Sequence, residues 1–191
     1  MLNKKILLIV GSLRKNSFNK QLAIFIQEFL NQYVSTEILD YKELPLFNQD
    51  IEFPTPQIVK EIREKFALAD VIWFFTPEYN GHVSGVLKNL LDWLSRPISQ
   101  NEFGIPNTTF NKPITMSGAA GKMKSIGSIK NLKEISSAMK MIPIDIDEVG
   151  IALSPESFQT NKLNLTNDDK NRLLNQAKAL LSYINNLVKY D

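Results

Sequence analysis

The chain has 191 residues, 43 % of them apolar, and a formal charge of +2 from 22 Lys and Arg against 20 Asp and Glu. That length and content suit one domain, residues 1–191, with a real core, and the near balance of charge points to neither a nucleic-acid binder nor an acidic tail. No cysteine is present and His82 is the single histidine, which excludes disulfides, thiolate metal sites and cysteine nucleophiles and argues against a multi-histidine metal site or a self-contained Ser-His-Asp triad.

Residues 4–10 carry the run Ile6-Leu7-Leu8-Ile9-Val10 and predict a buried first strand. Residues 20–33 place Leu22, Phe25, Ile26, Phe29, Leu30 and Tyr33 at helical spacing, and residues 34–39 predict a second strand. After Pro54 and Pro56 comes a helix with Ile58, Val59, Ile62, Phe66 and Ala69; residues 71–75, Val-Ile-Trp-Phe-Phe, predict the central strand. A third helix spans about 84–95, with Val86, Leu87, Leu90, Leu91 and Leu94. A loop rich in Pro, Asn and Thr fills 96–111, before a fourth strand over 113–117 and a helix near 126–141. Ile142, Ile144 and Ile146 alternate with Pro143, Asp145 and Asp147, which predicts a half-buried fifth strand whose proline favours an edge. The last helix, about 168–188, sets Leu173, Ala177, Leu180, Ile184 and Val188 on one face.

This alternation implies an α/β fold: a five-stranded parallel sheet covered by helices on both faces, for which the flavodoxin-like order 2-1-3-4-5 fits the strand count best. Ligands of such sheets bind beyond the carboxyl ends of the strands, so the loops after strands one, three and four carry the chemistry. The apolar run at 6–10 is too short for a signal-peptide core and no stretch approaches a membrane span, so a soluble, cytoplasmic protein is expected.

The first loop, Gly11-Ser12-Leu13-Arg14-Lys15-Asn16-Ser17-Phe18-Asn19, leads into a helix N-terminus. Free amides, the helix dipole, the donors Ser12, Ser17 and Asn19, and the charges of Arg14 and Lys15 suit a phosphate monoester. GxGxxG and GxxxxGK[ST] are both absent. The plainer reading is a polar turn with Ser17 as the helix cap. The second loop, Thr76-Pro77-Glu78-Tyr79-Asn80-Gly81-His82, is a constrained turn whose Tyr79 and Asn80 suit the edge of a flat heterocycle, or equally a packed tyrosine and a turn asparagine. The third, Ser117-Gly118-Ala119-Ala120-Gly121-Lys122, is small enough for close ligand approach, as is any tight turn.

Gly11-Ser12-Leu13-Arg14 with Ser17 and Asn19, Pro77-Glu78-Tyr79-Asn80-Gly81, Gly85-Val86-Leu87-Lys88-Asn89 and Asp92-Trp93-Leu94-Ser95-Arg96-Pro97 together resemble the NADPH-dependent FMN reductase family, the flavodoxin-like group that includes chromate, quinone and azo-dye reductases. The resemblance runs from Lys4 to the final helix. It implies non-covalent FMN, with its phosphate against Ser12, Arg14, Ser17, Phe18 and Asn19, its ring against Pro77, Glu78, Tyr79, Asn80 and Gly81, and Ser117 lying against the flavin. It further implies hydride transfer from NAD(P)H to the flavin and then to a small-molecule acceptor, by a ping-pong route with no general acid or base. A homodimer or homotetramer without nucleic-acid or membrane partners is implied as well. Two departures stand out: Ser84 where the family often has proline, and Gly121-Lys122 where it usually has a glycine pair. Four roles stay open: His82 as quinone ligand or solvent-facing loop residue, Arg14 as phosphate ligand or surface charge, Trp93 as subunit contact or core, and Lys122 as cofactor ligand or plain surface charge. A flavodoxin-type electron carrier and a flavin-binding regulatory module without turnover are the rival readings. The carrier is disfavoured by Arg14 and Lys15 in the first loop and by the slightly positive net charge.

Overall fold

Strand pleating sends alternate side chains to opposite faces of a sheet, and here both faces are apolar. Ile6, Leu8 and Val10 of β1 (Leu2–Val10) and Val71, Trp73 and Phe75 of β3 (Val71–Phe75) join one core cluster; Leu7, Ile9, Ile72 and Phe74 join the other. Strands buried on both faces read as unbroken apolar runs, which is why these two are the clearest elements of the sequence. The structure, a computed structural model, describes residues 2–187; the expectation for Val188 lies outside the described residues.

The sheet is parallel and runs β2-β1-β3-β4-β5, with β2 at Val34–Ile38 and β4 at Pro113–Ala120. Helices α1 (Phe18–Leu30) and α6 (Asn167–Leu187) supply Leu22, Ile26, Leu173, Leu180 and Ile184 to the first cluster. On the opposite face, α2 (Gln57–Leu68), α3 (Gly85–Leu94) and α4 (Ile126–Ala138) supply Ile62, Phe66, Leu90, Leu94 and Leu132. The result is the expected three-layer, flavodoxin-like arrangement. Among the described residues no helix is long and apolar enough to cross a membrane.

The fifth position of the sheet departs from expectation. The strand β5 covers only Ile142–Pro143 and pairs with Pro113 and Ile114. Ile144 still bonds the Ile114 carbonyl, but the Ile146 amide turns back to the Ile144 carbonyl at 2.9 Å, a γ-turn that takes the chain off the ladder. A sixth strand, β6 (Val149–Ala152), then resumes pairing along Ser117–Ala120 and leads into the short α5 (Pro155–Thr160). Two short strands thus share one edge. Gly150 sits in β6 where an added Cβ would stand 2.0 Å from the Lys124 carbonyl oxygen, so only glycine fits.

Candidate functional site

The carboxyl ends of β1, β3 and β4 open on a cavity of about 250 Å³. It is lined by Ser12, Arg14, Ser17, Phe18 and Asn19 from the first loop, Pro77, Glu78 and Tyr79 from the second, Ala119, Ala120 and Gly121 from β4's end, and Leu153 and Phe158 from the β6–α5 segment.

The first loop is shaped by local capping. The Ser17 hydroxyl accepts from the Lys20 amide at 3.2 Å and starts α1, which has no acidic residue in its first turn. The amides of Phe18 and Asn19 have no acceptor inside the helix, so this end carries free donors and positive potential. Arg14 is exposed; its guanidinium lies 5.3 Å from the centre of the Phe18 ring and donates to Asn161 Oδ1. Asn19, expected as a phosphate donor, has its amide committed elsewhere: Nδ2 donates to the Ala119 carbonyl and Oδ1 accepts from the Ala119 amide, each at 2.9 Å.

The second loop is a two-residue hairpin. Tyr79 and His82 exchange backbone hydrogen bonds of 3.1 and 3.0 Å, and the residues between them, Asn80 and Gly81, both have positive φ (54° and 78°). That is the Asn-Gly signature of a type I′ turn. Asn80 and Gly81 therefore shape the loop, while Pro77, Glu78 and Tyr79 reach the cavity. The Glu78 carboxylate accepts from the Gly127 and Ser128 amides at 2.7 and 3.2 Å, capping α4, whose Ser125 makes no side-chain cap. With the Asn131 amide oriented to satisfy its neighbours, its nitrogen donates to His82 Nδ1 (2.7 Å) and to the Gly81 carbonyl (3.0 Å), fastening the exposed His82 to α4.

Two loops are joined by Ser84. Its hydroxyl donates to the Gly11 carbonyl at 2.6 Å and accepts from the Leu87 amide at 3.4 Å. Ser84 thus caps α3 and ties it to the end of β1.

Ser117 is not at the cavity. Strand β4 continues three residues past the expected end, so Ser117 is fully buried, its hydroxyl accepting from Trp73 Nε1 (3.1 Å) and donating to Gln176 Oε1 (2.8 Å). Gly118 serves packing as well: a Cβ there would meet the Thr76 carbonyl oxygen at 2.4 Å. Of the small third loop only Ala119, Ala120 and Gly121 line the cavity, and Lys122 is exposed outside it. Of the two roles open to Trp93 the structure gives core: it is 1 % exposed, and its Nε1 donates to the Pro45 carbonyl at 2.8 Å. Leu153 and Phe158 reach the cavity through β6 and α5, two short elements that the sequence pattern does not predict. Phe158 stands edge-on to Phe18, ring centres 5.7 Å apart.

Residues 4–156 match the NADPH-dependent FMN reductase family. The chain belongs to that family. An NAD(P)H-dependent FMN reductase of Pseudomonas aeruginosa is 31 % identical to it over 96 % of each chain. A 2-hydroxy-1,4-benzoquinone reductase of a Burkholderia species is 43 % identical over a stretch spanning 52 % of this chain and 55 % of that protein. In fold it is similar to FerB, a flavoenzyme NAD(P)H:(acceptor) oxidoreductase of Paracoccus denitrificans, with a TM-score of 0.81, 24 % identity, and 96 % and 98 % of the two chains covered. As a member of this family the chain is an oxidoreductase, with FMN as cofactor and NAD(P)H as electron donor.

Proposed function

We propose that the chain, as one domain, passes electrons from NAD(P)H through bound FMN to a small acceptor such as a quinone, azo compound, chromate or free flavin, in two alternating half-reactions. The observation that carries this reading is the donor set of one cavity. Ser12, Arg14, Ser17 and the first turn of α1 line it together with Pro77, Glu78, Tyr79 and Ala119–Gly121. That combination suits a phosphate joined to a flat ring. Its walls include apolar side chains and small residues, and an aromatic ring system packs well against both.

FMN, when bound, supplies the two-electron chemistry that no side chain of this protein possesses. The residues bind and orient. Ser12, Arg14 and Ser17 would hold its phosphate, and Pro77, Glu78 and Tyr79, shaped by the Asn80–Gly81 hairpin, would meet its ring, with Phe18 and Phe158 completing the cavity's lining. Tyr79 is 58 % exposed and lines the cavity, which suits a place where NAD(P)H and then the acceptor would approach. Quinone appears as substrate in the name of the Burkholderia relative, which supports that class of acceptor. The exposed Ile98, Phe103 and Phe110 of the long loop after α3 support a homodimer or homotetramer that covers them, and we place the protein in the cytoplasm.

The test is an absorbance spectrum of the purified protein, followed by anaerobic addition of NADPH and, separately, NADH. Flavin bands that bleach, and return on addition of a quinone, are expected. Bands that persist favour an electron carrier or regulatory module instead. A colourless protein that FMN cannot reconstitute removes the cofactor assignment.

A further inference from the structure

Arg14 is an exposed arginine, and a side chain of that length ordinarily samples many rotamers. Here it is held on two sides. Its guanidinium lies over the Phe18 ring and donates to Asn161 Oδ1, and among the described residues the group has no other partner. Asn161 is itself fixed. It ends α5 in the left-handed conformation, φ 56°, and its carbonyl accepts from Gln21 Nε2 at 3.0 Å. The other end of that amide, Gln21 Oε1, accepts from the Leu163 amide at 2.8 Å. A residue 147 positions away in sequence is thus anchored to α1 and holds a cation that lines the same cavity as the first turn of that helix.

We propose that Asn161 is a positioning residue for the cofactor: it holds Arg14 in the pose that meets a phosphate monoester, leaving the remaining guanidinium donors free. The inference rests on the phosphate placement given above. It implies that Asn161 acts on the phosphate end of the ligand and not on the ring. FMN and riboflavin, which differ by that phosphate, separate the two effects.

The variant of choice is Asn161→Gly. Glycine keeps the left-handed backbone without strain and retains the carbonyl that accepts from Gln21, so only the side-chain acceptor is lost. Arg14→Ala is measured beside it. Dissociation constants for FMN and riboflavin, by quenching of flavin fluorescence, are compared with wild type. Asn161→Gly should weaken FMN by roughly fivefold, the size of one hydrogen bond's net contribution, and leave riboflavin within about twofold. Arg14→Ala should weaken FMN more, about 10-fold or beyond for a charge-assisted contact, again sparing riboflavin. Equal weakening of both ligands by Asn161→Gly, or no change in either, overturns the positioning role. If Arg14→Ala leaves FMN affinity unchanged, the phosphate placement itself fails and the proposal falls with it.

Discussion

Asn19 and Ala119 hold each other by two hydrogen bonds of 2.9 Å, the side-chain amide of one closing on the backbone amide and carbonyl of the other across 100 positions of sequence. The pair joins the first turn of α1 to the end of β4, so two walls of the cavity are set at a fixed spacing before any ligand arrives. Asn19→Ala strips both partners from a buried peptide group, and an orphaned buried donor or acceptor costs about 1–3 kcal/mol. We expect a stability loss of about 2–4 kcal/mol in urea denaturation, together with weaker FMN binding as the walls relax. A loss below about 0.5 kcal/mol would mean that water takes over both bonds.

Ser117 gives the opposite expectation. Its hydroxyl bridges Trp73 and Gln176 inside the first core cluster and has no access to the cavity. Ser117→Ala leaves the indole N–H without its acceptor, so stability should fall by about 1–3 kcal/mol. FMN affinity should stay within about twofold of wild type. Equilibrium unfolding and flavin titration on the same preparation check both, and a selective loss of FMN affinity would return Ser117 to the site.

These two residues show what the sequence conveys and what it withholds. Doubly buried strands announce themselves, because Ile6-Leu7-Leu8-Ile9-Val10 and Val71-Ile72-Trp73-Phe74-Phe75 need no partner to be read as strands. Ser17 and Ser84 are legible as caps, since a hydroxyl before an amphipathic run has a local job. The glycines inside β4 and β6 are not legible in the same way. Gly118 is small because the Thr76 carbonyl passes close by, and Gly150 because the Lys124 carbonyl does, and neither neighbour is near in sequence. The break at Asp145 and Ile146, the sixth strand and the Arg14–Asn161 bond depend likewise on contacts between distant segments. Asn19 was legible as a polar residue at the right place, but its actual partner, a backbone group on β4, was not.

Tyr41 supplies the pH-dependent case. It is buried, its hydroxyl donates to the Val10 carbonyl at 2.6 Å, and burial pushes the phenol well above its ordinary value of 10.0. The unfolded chain therefore releases this proton first as pH rises. A group whose folded value is raised contributes its full stability below the unfolded value and loses it above, so this contribution declines once pH passes about 10. Tyr41→Phe should cost about 1 kcal/mol at neutral pH for the lost hydrogen bond. The gap to wild type should narrow in alkali, where only wild type bears the cost of keeping this phenol protonated. Denaturation midpoints measured at neutral pH and above pH 10 test this, and a constant gap would show that Tyr41 does not titrate differently in the two states.

Glu78 couples the second loop to α4. Its carboxylate receives the Gly127 and Ser128 amides, standing in for the cap that Ser125 does not make, and places a negative charge where the helix dipole favours one. Gly127 is needed for the approach, because a Cβ there would lie 2.6 Å from the Gly81 carbonyl oxygen. The hairpin and the helix end are thus packed as one unit, with the carboxylate as their link. Glu78→Gln keeps an acceptor but loses the charge, and should cost about 0.5–1 kcal/mol. Glu78→Ala removes the cap entirely and should cost about 1–2 kcal/mol. Hydrogen exchange at the Gly127 and Ser128 amides reports the site directly: it should quicken modestly in the glutamine variant and strongly in the alanine variant. FMN affinity should follow the same order, since a loosened hairpin no longer holds Pro77 and Tyr79 against the cavity. Unchanged exchange in Glu78→Ala would remove the carboxylate from its capping role and leave the hairpin's position to Asn131 and packing alone.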